Sequence, residues 1–197
     1  EMARGRLRIL YQGGFAAHRG LEQIIDAWAA VDDTKAVLFF RGPNNEFRKT
    51  LLARAKQTHK LDQSIFFLPS ASEDKLIVAA AHADIGLIPY LSHIENHHGA
   101  CPNKLGQYMQ AGLAIASANL PFVKSILKAS ECGVIYDDQN QSALSDSLTE
   151  LIDTPDRVQA MGKAGKAFAI NIYNFDVYFP VLNDLYRGQH DARSAHE

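Results

Sequence analysis

Two basic residues of this 197-residue chain follow predicted strands of a parallel sheet, where they could bind an anion. Arg19 follows a strand-like run and the paired glycines Gly13 and Gly14, and Lys104 follows Asn103 at the predicted start of a helix. Paired glycines let a ligand approach backbone N–H groups, and a helix start offers further N–H groups and a positive dipole end. These residues could therefore neutralise a phosphate. A tight turn with a solvated arginine, and an ordinary first-turn lysine, are the alternatives.

The segment 101–117 is the most informative part of the chain. Its pattern predicts a proline that ends the preceding loop, an N-cap at Asn103 and a short helix. A glycine then ends the helix, and another buried strand follows. Gln107 lies four residues beyond Asn103, and so it returns to the same helix face. There its amide could hydrogen-bond a pair of ligand hydroxyls. An ordinary helix surface position is the alternative interpretation of Gln107.

Two further loops offer polar groups next to predicted strand ends. Arg41 ends one strand and begins the loop 41–45, and Ser70 lies in the loop 69–73. We expect Arg41 and Ser70 to contribute to the same ligand site, with Arg41 facing the cleft and the Ser70 loop bordering a base. A solvated surface arginine and a turn capped by Ser72 are the alternatives.

The loop 89–102 is unusually long for a compact α/β domain, and such loops are usually functional or disordered. Its acid and histidines could suggest a metal site, but no strand or helix fixes their spacing and neither Cys101 nor Cys132 lies at a ligand interval. We therefore predict no metal, and contacts to a sugar or to solvent instead. The residues in question are His93, Glu95, His97 and His98.

Short apolar runs alternate with longer helical patterns along the chain. Runs that are apolar at every position are typical of strands buried on both faces of a parallel sheet. Right-handed crossovers then bring all the β-to-α loops to the carboxyl edge of that sheet. The sequence predicts an α/β, Rossmann-like, doubly wound parallel sheet of about six strands with helices on both faces. The strands are predicted at 7–12, 36–40, 64–68, 83–88, 113–116 and 133–136.

The composition is that of an ordinary globular domain, with 47% apolar and 21% charged residues. A formal net charge of -2 excludes a general attraction for nucleic acid, so any anion must be held locally. No apolar run could span a bilayer, the first 20 residues do not form a signal peptide, and two distant cysteines fit a reducing, cytoplasmic location. We expect a linker at 1–6, one domain at 7–187 and a flexible tail at 188–197.

With these residues in view, the chain resembles the C-terminal, donor-binding domain of GT-B glycosyltransferases, in particular the retaining family 4 (glycosyl transferases group 1). The resemblance covers essentially the whole chain and is strongest at 102–113, which reads Pro-Asn-Lys-Leu-Gly-Gln-Tyr-Met-Gln-Ala-Gly-Leu. Members of this family typically read much like this string. They carry a glutamate where Gln107 stands and a Pro-Val pair after the Gly-Leu.

The resemblance implies one half of a metal-independent hexosyltransferase of polysaccharide biosynthesis. Its substrate would be a nucleotide diphosphate sugar of the UDP or GDP type, with no cofactor, and its acceptor a glycan or a lipid-linked molecule. The N-terminal, acceptor-binding domain is missing from this chain, so the isolated domain should be inactive. The terminal helix 176–187 would cross toward that domain, and the full-length protein could associate peripherally with the inner face of the membrane.

The resemblance also suggests roles for individual residues. The residue at Gln107 binds the ribose hydroxyls in the family, and the basic residue at Arg19 binds the diphosphate. Arg19 and Lys104 would stabilise the departing phosphate and so act in catalysis. The family's usual arginine falls at Gly14, and its second glutamate falls at Gly99. The remaining donor-binding residues implied are Gly13, Glu95, His97, Asn103 and Leu105.

These departures leave two other functions open. A nucleotide-sugar 2-epimerase can share the same two-domain architecture. A non-catalytic GT-B-like module for binding or regulation would fit the loss of the glutamate at Gln107 and of the arginine at Gly14.

Overall fold

The computed structural model describes residues 2, 3 and 5–194, and its strands are the continuous apolar runs of the sequence. All neighbouring strands are parallel, in the order β3-β2-β1-β4-β5-β6. This order changes direction between β1 and β4, and a crevice at the carboxyl ends of the strands is expected at such a point. The strands are β1 Leu7–Gln12, β2 Ala36–Arg41, β3 Ile65–Leu68, β4 Ile85–Ile88, β5 Ala114–Ala118 and β6 Gly133–Tyr136.

Helices cover both faces of the sheet and form two separate apolar clusters with it. Buried side chains of α1, α2 and α7 pack on one face, and those of α3, α5 and α6 pack on the other. The long helix α8 contributes to both clusters. The helices are α1 Leu21–Ala29, α2 Glu46–Gln57, α3 Leu76–Ala80, α4 Glu95–His98, α5 Asn103–Ala111, α6 Pro121–Ser130, α7 Ala143–Ile152, α8 Pro155–Asn171 and α9 Phe175–Ser194, with a 3-10 turn at Glu73–Lys75.

The predicted α/β fold is therefore confirmed, with differences at the ends of elements. The N-cap position of α5 is held by Pro102, so the prediction that Asn103 caps this helix is wrong. The loop 89–102 contains the single helical turn α4, and α9 continues beyond Arg187 to Ser194. Residues 1 and 4 of the predicted linker and 195–197 of the predicted tail lie outside the described residues.

A tyrosine of α5 fixes this helix to the end of β1. The Tyr108 side chain is fully buried, its hydroxyl accepts a hydrogen bond from the Gln12 N–H at 2.8 Å, and it donates to the Leu10 carbonyl at 3.5 Å. The ring crosses β4 at Gly86, where a Cβ atom would overlap it. The absence of a side chain at Gly86 therefore allows α5 to sit against the crevice between β1 and β4.

The last helix carries large apolar side chains that have no cover within the described part of the chain. No helix among these residues is both long enough and apolar enough to cross a membrane. The exposed apolar residues of α9 are Phe175, Val177, Tyr178, Phe179, Val181, Leu182, Leu185 and Tyr186.

The contact of Gly86 with Tyr108 can be tested by substitution. Gly86→Ala should lower the free energy of unfolding by about 1–3 kcal/mol, because the added methyl group must displace a fully packed ring. Gly106→Ala is the matched control, since a Cβ there would be 3.7 Å from Tyr173 and alanine favours the helix. Urea unfolding of both variants measures the difference, and an equal stability of the two would contradict this account of the packing.

Candidate functional site

Lys104 is the second residue of α5, at the carboxyl edge of the sheet, and is almost completely buried. Only 6% of the residue is exposed, and its Nζ atom donates a hydrogen bond to the Tyr90 hydroxyl at 2.8 Å. The same atom lies 4.4 Å from the centre of the Tyr90 ring and 5.2 Å from that of Tyr11. Within the described residues no carboxylate forms an ion pair with Lys104. A buried amine is therefore held by neutral aromatic groups.

This environment disfavours the charged form of the amine. Burial lowers the pKa of Lys104 to about 7, and the positive charge of Arg19 adds to the effect. An anion next to Lys104 would favour the charged form of the amine, because it would supply the missing opposite charge.

Arg19 also lies close to Tyr90. Its guanidinium carbon is 5.7 Å from the centre of the Tyr90 ring, and its Nη1 atom donates to the Gly14 carbonyl at 3.4 Å. The Tyr11 hydroxyl donates to the same carbonyl at 2.8 Å and so fixes the loop between β1 and α1. Burial raises the pKa of Tyr11 to about 12, and this hydroxyl thus remains a donor.

Two glycines allow the chain to bring Arg19 and Lys104 together. Gly13 has a φ of 145°, a value favoured by glycine, and the position of its absent Cβ is 3.5 Å from the Lys104 Nζ atom. Gly20 has a φ of 70°, and a Cβ there would overlap the Pro89 carbonyl oxygen. The loop that carries Arg19 is thus packed directly on the end of β4, next to Tyr90.

Backbone N–H groups add to the positive character of this edge. Those of Gly14, Asn103 and Lys104 have no acceptor among the described residues. The Leu105 N–H, by contrast, donates to the Pro102 carbonyl at 2.9 Å, and its side chain is fully buried in the core. Leu105 therefore supports α5, while the first two residues of the helix present their N–H groups.

Arg41 and Ser70 do not join the contacts around Lys104. Arg41 is half-buried, and its Nη1 atom donates to the Gln12 Oε1 atom at 3.2 Å. Gln12 in turn donates to the Leu76 carbonyl, so Arg41 is linked to the start of α3 through Gln12. Burial lowers the pKa of the Arg41 guanidinium. Ser70 is exposed in the loop after β3.

Of the predicted binding residues in the loop 89–102, His97 contacts Tyr90, and Glu95 and Gly99 do not. His97 stacks on Tyr90, with ring centres 5.0 Å apart, and its Nδ1 atom lies 3.0 Å from the Leu91 carbonyl oxygen. Glu95 and Gly99 are exposed, and a Cβ at Gly99 would meet no atom within 4 Å. The described residues contain no group of three or more metal-ligating side chains. His97 is thus linked to Lys104 and Arg19 through Tyr90, whereas Glu95 and Gly99 face solvent.

Gln107 lies one turn after Asn103 on α5 and is half-buried. Among the described residues, none forms a hydrogen bond with its side-chain amide. The amide therefore keeps both its donors and its acceptor for other partners.

Sequence reasoning singled out Arg19 and Lys104 but missed Tyr90 and Tyr11, which lie next to Lys104, and Tyr108, which fixes α5. Tyr90 lies two residues after the end of β4, and this position at the carboxyl end of a strand could have indicated it. Tyr11 ends a buried run, and Tyr108 lies four residues after Lys104 inside a predicted helix. Both read as core residues, and their hydroxyl contacts depend on side-chain directions that the sequence pattern does not give.

A family model described as glycosyl transferases group 1 matches residues 3–168. No curated protein shows significant similarity to the chain.

Three solved structures share the fold at low identity. Sucrose-phosphate synthase from Thermosynechococcus elongatus is 17% identical with a TM-score of 0.82, over 95% of this chain and 46% of that one. HepE from Anabaena, in complex with UDP and glucose, is 12% identical with a TM-score of 0.76, over 92% and 48%. The C-terminal domain of the group 1 glycosyl transferase LpcC from Francisella tularensis is 18% identical with a TM-score of 0.72, over 86% and 87%. The chain thus spans less than half the length of the first two.

The burial of Lys104 predicts a specific dependence of stability on pH. The pKa of about 7 in the folded chain lies below the value of about 10.4 for a lysine in an unfolded chain. Between these values the unfolded state binds more protons, so this residue makes the free energy of unfolding rise with pH by up to about 1.4 kcal/mol per pH unit. Relative to Lys104→Met, the unsubstituted chain should therefore gain stability from pH 7 to pH 9.

Urea unfolding at pH 7, 8 and 9 measures this difference. Lys124→Met serves as the control, because Lys124 is exposed on α6 and its replacement should leave the pH profile unchanged. Parallel profiles for the unsubstituted chain and Lys104→Met would show that the amine is not desolvated.

Proposed function

The chain belongs to the glycosyl transferases group 1 family, and on this basis we propose that it is the domain that binds the nucleotide diphosphate sugar of a retaining glycosyltransferase. The transferred group would be a hexose, and the acceptor a glycan or a lipid-linked molecule. The acceptor site would lie on a second domain, because structural relatives such as sucrose-phosphate synthase are more than twice as long as the matching region.

The observation that carries this proposal is the presence of two neighbouring cations without an acidic partner. Arg19 and Lys104 both contact Tyr90, and within the described residues neither forms an ion pair. Unpaired N–H groups of Gly14, Asn103 and Lys104 border the same crevice. A diphosphate supplies the opposite charge and several acceptor oxygens, and charge-assisted hydrogen bonds of this kind are among the strongest in proteins.

The same residues give the domain a role in the reaction. When the bond between the sugar and the diphosphate breaks, negative charge accumulates on the leaving diphosphate oxygen. Fixed cations and N–H groups that already surround this oxygen stabilise the transition state without having to reorganise. Arg19 and Lys104 would therefore both bind the donor and assist its cleavage.

UDP-type donors are the first candidates. HepE from Anabaena was solved with UDP and glucose, and it shares the fold of this chain at 12% identity. The family resemblance also leaves GDP-type donors open, and the two are separated by direct titration.

The exposed apolar side chains of α9 fit a two-domain enzyme. We propose that this helix contacts the acceptor-binding domain, which would shield residues such as Phe179 and Leu185 from water. A structure of the full-length protein in which α9 faced only solvent would contradict this part of the proposal.

Titration of the chain with UDP, GDP and ADP tests donor binding. We expect one of these nucleotides to bind, and Arg19→Gln and Lys104→Met each to weaken its binding about tenfold or more, because each removes a charge-assisted hydrogen bond. Isothermal calorimetry gives the affinities, with Lys124→Met as the control for loss of a lysine outside the crevice. If no nucleotide binds the folded chain at millimolar concentration, the proposed function is wrong.

Gln107 provides a second test of the donor site. Its half-buried amide is unused among the described residues, and a carboxylate there could accept hydrogen bonds from both ribose hydroxyls. Gln107→Glu should therefore tighten binding of the nucleotide. Gln110→Glu, on the exposed side of the same helix, controls for the added negative charge. Unchanged or weaker binding by Gln107→Glu would indicate that this residue does not face the ribose.

A further inference from the structure

Tyr11, Tyr90 and Tyr108 lie at this edge of the sheet or on α5, and two of these tyrosines already donate their hydroxyl hydrogen to a backbone carbonyl. The Tyr11 hydroxyl donates its hydrogen to the Gly14 carbonyl. The Tyr108 hydroxyl accepts from the Gln12 N–H and donates to the Leu10 carbonyl. Neither can donate to a ligand without breaking a contact that fixes the loop after β1 or the position of α5.

Tyr90 differs from these two tyrosines. Its hydroxyl oxygen accepts the hydrogen bond from the Lys104 amine at 2.8 Å, and among the described residues none accepts the hydroxyl hydrogen. A phenol can accept and donate at the same time. The Lys104 contact therefore occupies the acceptor side of the Tyr90 hydroxyl and leaves its donor side unused.

The ring that carries this hydroxyl is held from several directions. His97 stacks on it with ring centres 5.0 Å apart, and the guanidinium of Arg19 lies 5.7 Å from its centre. The preceding residue, Pro89, is in contact with Gly20 through its carbonyl oxygen. These contacts fix the direction of the Tyr90 side chain before a ligand arrives, and pre-organisation of this kind reduces the entropic cost of binding.

We propose that Tyr90 is a third phosphate-binding residue of the donor site and donates its hydroxyl hydrogen to a phosphate oxygen of the nucleotide diphosphate. This inference rests on the proposed function. It adds a residue that lies outside the 102–113 string and outside the loop between β1 and α1. Because the hydroxyl lies 2.8 Å from the Lys104 amine, one phosphate group could receive hydrogen bonds from both.

Tyr90→Phe tests the inference because it removes only the hydroxyl and keeps the ring that contacts His97 and Arg19. Binding of UDP should weaken about tenfold, the usual effect of losing a hydrogen bond to a charged group. Binding of uridine, which has no phosphate, should stay the same within twofold. Tyr186→Phe is the matched control, since this tyrosine is exposed on α9. Chemical-shift titration gives both affinities, and GDP with guanosine replace UDP with uridine if GDP is the nucleotide that binds.

A double variant separates direct donation from an effect on Lys104. If Tyr90 donates to the phosphate, Tyr90→Phe should weaken UDP binding further in the Lys104→Met background, by about three- to tenfold. If Tyr90 only orients Lys104, the substitution has no further effect in that background, and the inference is overturned. An equal loss of affinity for UDP and uridine would also overturn it, because it would indicate a general disturbance of the crevice.

These results also distinguish the inference from the proposed function. Absence of nucleotide binding by the unsubstituted chain refutes the proposed function. Binding that is weakened by Lys104→Met but unchanged by Tyr90→Phe supports the donor site and overturns only the role of Tyr90.

Discussion

The hydrogen bond between the Gln12 N–H and the Tyr108 hydroxyl determines the position of the residues that form the proposed anion site. It joins the carboxyl end of β1 to the middle of α5 across the space that Gly86 leaves free. Lys104 lies one helical turn before Tyr108, so this bond also fixes the height of the amine above the sheet. A side chain at Gly86 would push α5 outward and carry Lys104 away from Gly13, which links core packing directly to the chemistry of the crevice.

The burial of Lys104 lowers the stability of the folded chain. A buried amine without an acidic partner loses hydration that aromatic rings and one hydroxyl only partly replace. The cost falls on the unliganded state, and an anion that enters the crevice reverses it. A carboxylate beside Lys104 would stabilise the empty chain, but it would compete with the phosphate for the same charge. The absence of such a group among the described residues is therefore consistent with a site that is specific for anions.

Much of the fold followed from the sequence because short, continuous apolar runs are typical of strands buried on both faces, and parallel strands bring their loops to one edge. This reasoning also brought Arg19 and Lys104 to the same crevice. It was wrong at the start of α5, where the extended backbone of Pro102 precedes the helix without a side-chain cap. The sequence pattern also did not reveal that Arg41 pairs with Gln12 across the sheet and donates to its side chain. The proposed role of Tyr90 depends on its contacts with Arg19, His97 and Lys104. These residues come from three different segments, so no local sequence pattern reveals the arrangement.

The strand order changes direction between β1 and β4, and these strands are far apart along the chain. The bond from the Arg8 N–H to the Asp84 carboxylate at their amino ends joins positions 76 residues apart. During folding, β1, β2 and β3 could pair with one another through shorter connections. Arg19 and Lys104 would still be apart at that stage. The two cations meet only after this long loop closes, a step whose entropic cost tends to make it slow. The capacity to hold an anion is therefore gained with the late, non-local part of the structure.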